Sequence, residues 1–235
     1  MCEKTSSSRP RAVISRSALA AASTAAVDAG GRVADLRRDA WGHGVLAIAH
    51  AVTAAGAAAV LVDHSEEVEA LRLEGIEALT EGVADIDASL LYGLPDADGT
   101  LRTTPVMRLA GRVLSTKPLK AGDAVSYGYT HRATQDTTAA LITGGYAQGI
   151  VRALGNAATV EIAAASRPIV GRVAMDVCVI DLQDSDDVEL GADATYFGGR
   201  GPAGPGLARW STVTGLTIAE LIAVAGSHAD RGWEA

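Results

Sequence analysis

Lysine, aromatic residues and cysteine are all scarce in this sequence of 235 residues. Aromatic residues make up 4% of the chain and include a single phenylalanine, so a buried core must be built mainly from alanine and valine. The two cysteines, Cys2 and Cys178, lie far apart. This excludes a disulfide framework and indicates free thiols in a reducing compartment.

Positive charge is also in short supply, because the formal net charge at pH 7 is −8. An acidic balance argues against a protein that binds the phosphate backbone of nucleic acid. The one long apolar run, 45–62, contains His50 and Gly56 and is better explained by a helix followed by a short buried strand than by a membrane span. Residues 1–11 are polar and do not resemble a signal peptide. We therefore expect a soluble, cytoplasmic protein without nucleic-acid or membrane partners.

The apolar pattern of the chain changes near residue 106. Before this point helical patterns alternate with short apolar runs, which is typical of a parallel sheet or of part of a (β/α)₈ barrel. After it, short Val- and Ile-rich runs separated by Gly, Asn and Asp predict an all-β, barrel-like domain closed by one amphipathic helix. We predict a disordered tail over 1–10, a truncated α/β barrel-like region over 11–105 and an all-β domain over 106–235.

The pattern also predicts individual elements. The predicted helices span residues 17–27, 45–55, 66–74 and 217–225, and Ser65 is the expected N-cap of the third helix. The predicted strands span residues 58–62, 107–115, 124–129, 138–143, 160–162, 169–180 and 195–197.

Three phrases in the second half carry the strongest family signal: Val125-Ser126-Tyr127-Gly128-Tyr129, Gly144-Gly145-Tyr146-Ala147-Gln148-Gly149 and Val170-Gly171-Arg172-Val173-Ala174-Met175-Asp176. In order and spacing they resemble the C-terminal β-domain of alanine racemase, a pyridoxal-phosphate (PLP) enzyme. In the first half, Asp39-Ala40-Trp41-Gly42-His43-Gly44 resembles the family's cofactor-lysine loop. Leu91-Tyr92-Gly93 resembles the last strand of the family's barrel. The resemblance implies a barrel followed by a β-domain.

The cofactor lysine implied by this resemblance is absent. In the family it lies four residues before the aromatic residue of the loop, and here that position holds Arg37. A guanidinium stays protonated, with a pKa above about 12, so arginine cannot form the Schiff base that PLP requires. The three lysines of the chain, Lys4, Lys117 and Lys120, lie elsewhere. The resemblance thus implies a cofactor site without its covalent anchor.

Two further features of the family are missing. The arginine that partners the pyridine nitrogen of PLP lies six residues before the tyrosine of the Tyr-Gly phrase, where this chain has Ile86 between Asp85 and Asp87. A complete (β/α)₈ barrel takes about 250 residues and seldom fewer than about 200. Only about 105 residues precede the β-domain, enough for two or three βα units. We therefore expect a remnant of the barrel.

In the β-domain the resemblance implies roles for three residues. Tyr127 corresponds to a catalytic base that acts from the partner subunit, on the face of the substrate opposite the lysine. Met175 and Asp176 correspond to a turn that faces the substrate. The same residues also have local explanations, because Tyr127 fits an ordinary strand tyrosine and Asp176 fits a β-turn whose aspartate bonds the backbone. Both interpretations stay open at this point.

On the cofactor side the resemblance singles out Arg37, Trp41 and Tyr92. Trp41 replaces a tyrosine that contacts the PLP phosphate and offers only an N–H donor. Tyr92 corresponds to another group on the phosphate side, or is simply a core residue. His43 has no second ligand at a suitable spacing, so it indicates loop structure rather than a metal site.

Three hypotheses about function follow. The first is a catalytically degenerate alanine-racemase homologue that acts as an interaction or regulatory module and binds no cofactor. The second is an active PLP-dependent racemase that interconverts L- and D-alanine for peptidoglycan. The third is a partner subunit that lends Tyr127 in trans to an intact racemase. The corresponding partners are a second copy of the chain or an intact racemase.

Overall fold

The computed structural model describes residues 9–126, 128–183 and 188–235. Within these ranges the helices are α1 (Arg16–Asp28), α2 (Arg37–Trp41), α3 (Val45–Ala54), α4 (Ser65–Leu73), α5 (Ala88–Tyr92), α6 (Gly206–Thr214) and α7 (Ile218–Ser227). The strands are β1 (Arg11–Ser15), β2 (Val33–Asp35), β3 (Ala59–Leu61), β4 (Ala78–Leu79), β5 (Met107–Leu119), β6 (Ala124–Val125), β7 (His131–Arg132), β8 (Thr137–Thr143), β9 (Thr159–Ile162), β10 (Ala165–Val170), β11 (Val177–Asp181), β12 (Asp193–Phe197) and β13 (Asp230–Glu234).

Six strands of the second half form a closed antiparallel barrel. The strand order is β5, β8, β11, β10, β9 and β12, and β12 pairs back to β5. Side chains alternate between the inside and the outside of a barrel, and along β11 the inward residues Cys178 and Ile180 are buried. The predicted barrel-like β-domain is therefore confirmed.

The first and last described strands extend this sheet. β1 pairs antiparallel with β5, and β13 pairs parallel with β1. Neither strand was predicted from the sequence, because β1 has only three apolar residues before a helix and β13 is mostly polar. Their pairing joins the two halves of the chain in one sheet.

The α/β region contains a second, smaller sheet. β2, β3 and β4 are parallel and are connected by α3 and α4. On the other edge of β2, the N–H groups of Asp85 and Ile86 each donate to the Val33 carbonyl at 3.1 Å. This approach requires Gly31, because a Cβ there would lie 2.5 Å from the Cα of Ile86. A segment that follows β4 thus covers the edge of β2.

The predicted helices are confirmed as α1, α3, α4 and α7, with shifts of one or two residues at their ends. Ser65 is not the N-cap of α4. It is the first helical residue, and His64 is the cap, because the Glu67 carboxylate accepts from the His64 N–H at 3.0 Å. A helix N-terminus is stabilised by whichever residues satisfy its free N–H groups.

Three predicted strands differ in the structure. Leu91-Tyr92-Gly93 is not a strand but the end of α5, which Asp87 caps by accepting from the Ser89 N–H at 2.8 Å. The run 169–180 forms two strands, β10 and β11, separated by a turn at Gly171. The run 124–129 contributes only β6 within its described residues.

The core of the β-domain includes α6, a helix not predicted from the sequence. Its Trp210 packs edge-on against Tyr196 and Phe197, with ring centroids 6.3 and 5.3 Å apart. In the described residues no single helix combines the length and apolar composition needed to cross a membrane; the bent pair α6–α7 meets those criteria only when counted together.

Candidate functional site

The barrel brings the three family phrases together at one end. The Ser126 hydroxyl donates to the Arg172 carbonyl at 2.7 Å, which ties the first phrase to the third. Gly145 of the second phrase lies so close to the third that a Cβ on it would be 2.3 Å from the Met175 carbonyl oxygen. Phrases that are separated along the chain therefore form one surface of connected loops, which we call the barrel end (residues 125–130, 144–149 and 170–176, apart from Tyr127).

Met175 and Asp176 lie in the turn between β10 and β11. The backbone of this turn is held by N–H groups of the second phrase: Ala147 donates to the Met175 carbonyl at 3.0 Å and Gly144 to the Asp176 carbonyl at 2.8 Å. The amide of Gln148 donates to the Asp176 carboxylate at 2.8 Å. Met175 is 54% exposed, so its side chain is available to another molecule.

Tyr127 lies outside the described residues, and its predicted role stays a prediction. Its neighbours in the chain adopt left-handed backbone conformations, with φ of 64° at Ser126, 83° at Gly128 and 49° at Tyr129. Non-glycine residues adopt this region at a cost in free energy, which contacts with the surrounding loops must offset. Tyr129 is 69% exposed at the same end of the barrel.

A second group of predicted residues surrounds α2. Four consecutive non-glycine residues of this turn, Arg38, Asp39, Ala40 and Trp41, have φ between 51° and 57°. A left-handed turn costs about 1–2 kcal/mol per residue, so it persists only where neighbouring contacts hold it in place.

Side chains on three sides hold the α2 turn. The Asp39 carboxylate accepts from the Val45 N–H at 2.8 Å, where it caps α3, and also from the guanidinium of Arg231 on β13. The Arg38 N–H donates to the Asp63 carboxylate. Neither Asp39 nor Arg231 was predicted as a site residue. The two are about 190 residues apart in the chain, so their contact is not visible in the sequence.

Arg37, at the predicted lysine position, is bound to Asp35. Its Nε and Nη2 donate to the two carboxylate oxygens of Asp35 at 2.8 and 2.6 Å, and its backbone N–H donates to one of them at 3.1 Å. These hydrogen bonds to Arg37 hold the pKa of Asp35 below its usual value and raise the pKa of Arg37. The pair is therefore ionised at neutral pH.

Tyr92, Trp41 and His43 form an aromatic stack behind this pair. The rings of Trp41 and Tyr92 are 5.1 Å apart and nearly parallel, and the His43 ring lies 4.5 Å from that of Tyr92. The Tyr92 hydroxyl donates to the Asp35 carbonyl at 2.8 Å. Burial raises the pKa of Tyr92 well above its usual value, so the hydroxyl stays protonated. Tyr92 thus connects α5 to the end of β2.

His43 is fully buried and neutral. Its Nδ1 lies 2.9 Å from the Ala40 carbonyl and 3.2 Å from the Trp41 carbonyl, so this nitrogen carries the proton and donates. Burial lowers the pKa of His43 to about 4. Among the described residues its Nε2 has no hydrogen-bond partner. The His43 side chain binds the carbonyls of the left-handed turn. This agrees with the prediction that His43 has a structural role in the loop.

Helix α7 lies between the barrel end and the α2 turn. A Cβ on Gly149 of the barrel end would lie 3.0 Å from the Cα of Ala225, and a Cβ on Gly42 would lie 2.8 Å from the Cα of Gly226. The helix therefore contacts the barrel end through Ala225 and the α2 turn through the neighbouring Gly226. On the α2 side an open cleft of about 480 Å³ is lined by Arg37, Trp41 and residues of α7, and neither Met175 nor Asp176 lines it.

The sequence profile described as "Alanine racemase, C-terminal domain" matches residues 106–232, which is more than half of the chain. The chain belongs to the alanine racemase family. The matched range contains Tyr127, Met175 and Asp176, whereas Arg37, Trp41 and Tyr92 precede it. Within the described residues no group of three or more His, Cys, Asp or Glu side chains could hold a metal ion.

Relatives in the alanine racemase family are longer than this chain. The alanine racemase of Chlorobaculum tepidum is 41% identical over 117 residues, which are 48% of this chain and 30% of that protein. That of Mycolicibacterium vanbaalenii is 46% identical over 101 residues, 43% of this chain and 26% of the relative. The aligned part of the chain spans about a third or less of these relatives.

Solved alanine racemases share the fold of this family member. The structure from the D-cycloserine-producing Streptomyces lavendulae aligns with a TM-score of 0.80 and 18% identity, covering 98% of both chains. The structure from E. faecalis aligns with a TM-score of 0.79 and 17% identity, covering 96% of this chain and 98% of that one. At these identities the likeness is one of fold.

Proposed function

We propose that this chain is a catalytically silent member of the alanine racemase family whose β-domain acts as an interaction or regulatory module. The observation that carries the proposal is the state of residue 37. In the family resemblance Arg37 corresponds to the cofactor lysine, and in the structure it donates two side-chain hydrogen bonds to Asp35. A protonated guanidinium has no free amine to attack an aldehyde.

The residues around Arg37 do not fit covalently bound PLP. Lys120 pairs with Asp136 at 2.8 Å, Lys117 lies on β5, and neither lysine lines the Arg37 cleft. The Tyr92 hydroxyl, on the phosphate side in the family resemblance, is already used by the Asp35 carbonyl. No catalytic step through PLP follows from these residues.

The barrel end supports an interaction role. Its loops are tied to one another by Ser126, Gln148 and backbone N–H groups, while Tyr129 and Met175 stay exposed. A rigid surface with exposed aromatic and methionine side chains is typical of protein interfaces. Since alanine racemases are generally dimers, a second copy of the chain is the simplest partner.

The proposal is tested by incubation with PLP, borohydride reduction and peptide mass spectrometry, with an intact alanine racemase as positive control. The expected result is a labelled control and an unlabelled chain. A pyridoxyl adduct on Lys117 or Lys120 would contradict the proposal, as would D-alanine formation by the purified protein. If the Arg37→Lys variant were labelled and the parent chain were not, the proposal would hold, and the lack of activity would be attributed to residue 37.

A second candidate function is a subunit that completes the site of an intact racemase. The favouring observation is that the loops carrying the two groups contact α7 at different residues, Ala225 and Gly226, and that neither Met175 nor Asp176 lines the Arg37 cleft. Met175 and Asp176 at the barrel end are therefore available to another chain, although their own chain lacks the lysine. In this arrangement a heterodimer has one competent site at most, which suits regulation.

Co-expression with a differently tagged intact racemase tests this candidate. The expected result is co-purification, with at most one active site per heterodimer where the racemase homodimer has two. Met175→Lys, which places a charge on the exposed barrel end, should reduce co-purification. Failure to co-purify under conditions in which the intact racemase forms dimers would exclude the heterodimer.

A further inference from the structure

An open groove lies on the side of α1 and α3. Its volume is about 730 Å³, within the usual range for small-molecule sites. Leu19 and Ala20 of α1 form one wall, Leu46 and Ala51 of α3 form another, and Trp233 of β13 lies at one end. Leu46 and Trp233 are 48% and 38% exposed, so apolar surface is left open to solvent.

Most of the charged side chains around this groove already have partners within the protein. Asp39 and Arg231 both line it, but they are bound to each other, and Asp39 also accepts from the Val45 N–H. His50 lies 3.6 Å from the carboxylate of Glu74. These groups therefore have partners of their own.

Arg16 is the exception among the charged residues of the groove. Its guanidinium lies 4.8 Å from the centre of the Trp233 ring, and in the described part of the chain it has no carboxylate partner and no side-chain hydrogen bond. The ring orients the guanidinium at the end of the apolar walls. Its N–H donors remain open to an anion.

The first turn of α3 adds donors to the same groove. Gly44 is the N-cap and has no side chain to bond this turn, and of the N–H groups of this turn Asp39 accepts from that of Val45. Leu46 and Ala47 line the groove, and within the described residues no acceptor is recorded for their N–H groups. Free N–H groups at a helix N-terminus favour negative charge.

We propose that this groove binds a small monocarboxylate with an apolar chain. The carboxylate would bond the Arg16 guanidinium near the start of α3, and the chain would lie between Leu19 and Leu46 against Trp233. A positive group without a partner, next to exposed apolar walls, matches a ligand that carries one negative charge and an apolar body. The proposal is independent of the function of the barrel end and of the Arg37 cleft.

Decanoate is the probe, with decanol as its uncharged counterpart. Isothermal titration should detect decanoate binding, with quenching of tryptophan fluorescence that Trp233→Phe removes. Arg16→Gln should weaken binding at least about tenfold, since hydrogen bonds to charged groups are among the strongest in proteins. Arg200→Gln, an exposed arginine outside the groove, is the matched control and should leave affinity unchanged.

A second variant tests the apolar wall. Leu46→Glu puts a negative charge in the first turn of α3, a position that favours acidic residues, so folding should be preserved while decanoate is repelled. Equal affinity for decanol and decanoate, or an unchanged affinity of Arg16→Gln, would overturn the proposal. So would a stable dimer, seen by analytical ultracentrifugation, that buries the groove and excludes decanoate.

Discussion

The barrel end and the α2 turn are held by similar contacts, yet they differ in whether their sequences match the racemase family. Both contain left-handed backbone at non-glycine residues, and both are held by hydrogen bonds from distant parts of the chain. The barrel end lies within the range that matches the racemase family, whereas the α2 turn precedes that range. At the α2 turn His43, Asp39 and Tyr92 hold the backbone, while Arg37 stands where the family resemblance predicts a lysine.

This difference separates the scaffold of a site from its reactive group. The α2 turn depends on side chains that bond the backbone, and none of those bonds requires a lysine at residue 37. The reactive group can therefore change while the loop is preserved. At the barrel end the predicted residues Met175 and Asp176 are themselves part of the bonded network, so scaffold and chemistry are harder to separate there.

The largest expected effect comes from crowding the barrel end. Gly145→Ala places a Cβ 2.3 Å from the Met175 carbonyl oxygen and 2.4 Å from that of Ala174. Both neighbours are backbone atoms, so the free energy of unfolding should fall by about 3 kcal/mol or more. Gly232→Ala, where a Cβ meets nothing within 4 Å, is the control and should be nearly neutral. Urea denaturation measures both, and equal losses would contradict the close packing of these loops.

Acid should weaken the α2 turn through His43. The pKa of His43 is about 4 in the folded protein and 6.5 in the reference state. Between these values the unfolded chain binds more protons, so stability falls as the pH is lowered from 6.5 to 4, by about 3 kcal/mol in total. The measurement is unfolding free energy against pH, and His43→Gln should flatten this dependence. A variant with the same slope as the parent would show that another group is responsible.

Removal of the Asp39 side chain should give an intermediate effect. Asp39→Ala deletes the cap of α3 and should lower the unfolding free energy by about 1–2 kcal/mol. Asp39→Asn keeps an oxygen for the Val45 N–H and should lose less than half as much. Thermal unfolding compares the two variants. If they lose the same amount, the ion pair with Arg231, rather than the cap, is the main contribution.

The smallest effect on stability is expected at Arg37. The Arg37 side chain is about half exposed, so loss of its ion pair in Arg37→Gln should cost less than about 1 kcal/mol. The pKa of Asp35 should rise toward its usual value, because the hydrogen bonds from Arg37 hold it down. In the parent protein the pair's contribution to stability is complete above the usual pKa of an aspartate and is lost as the pH falls from there through the lowered pKa of Asp35. Carboxyl titration by NMR measures the shift, and an unchanged Asp35 would refute the pairing.

Regular elements could be predicted where local pattern is strong. α3 and α7 follow from apolar patterns of helical length, and β8 follows from a short apolar run between turn residues. A strand was expected at Leu91-Tyr92-Gly93 because the phrase resembles the last strand of the family's barrel. Five residues are too few for the periodicity to decide, and the Asp87 cap determines the helix.

The candidate residues were identifiable from the sequence, but their supporting contacts were not. Arg37 and Trp41 could be placed from the loop phrase, Tyr92 from the Leu91-Tyr92-Gly93 phrase, and Met175 and Asp176 by their order in the β-domain. Their described positions, and the contacts at each, are structural findings, while their roles and that of Tyr127 stay predictions. Asp35 gave no signal, since an aspartate at the end of a strand is common.

The sequence by itself determined the absence of a lysine at residue 37, the presence of a barrel-forming β-domain in the second half and the family to which that half belongs. These depend on residue identity and on local order along the chain. Only the tertiary structure decided that β1 and β13 join the barrel sheet, that Arg231 binds Asp39 and that α7 separates the two loops. Such contacts join residues far apart in the chain, and their geometry depends on how the whole chain packs.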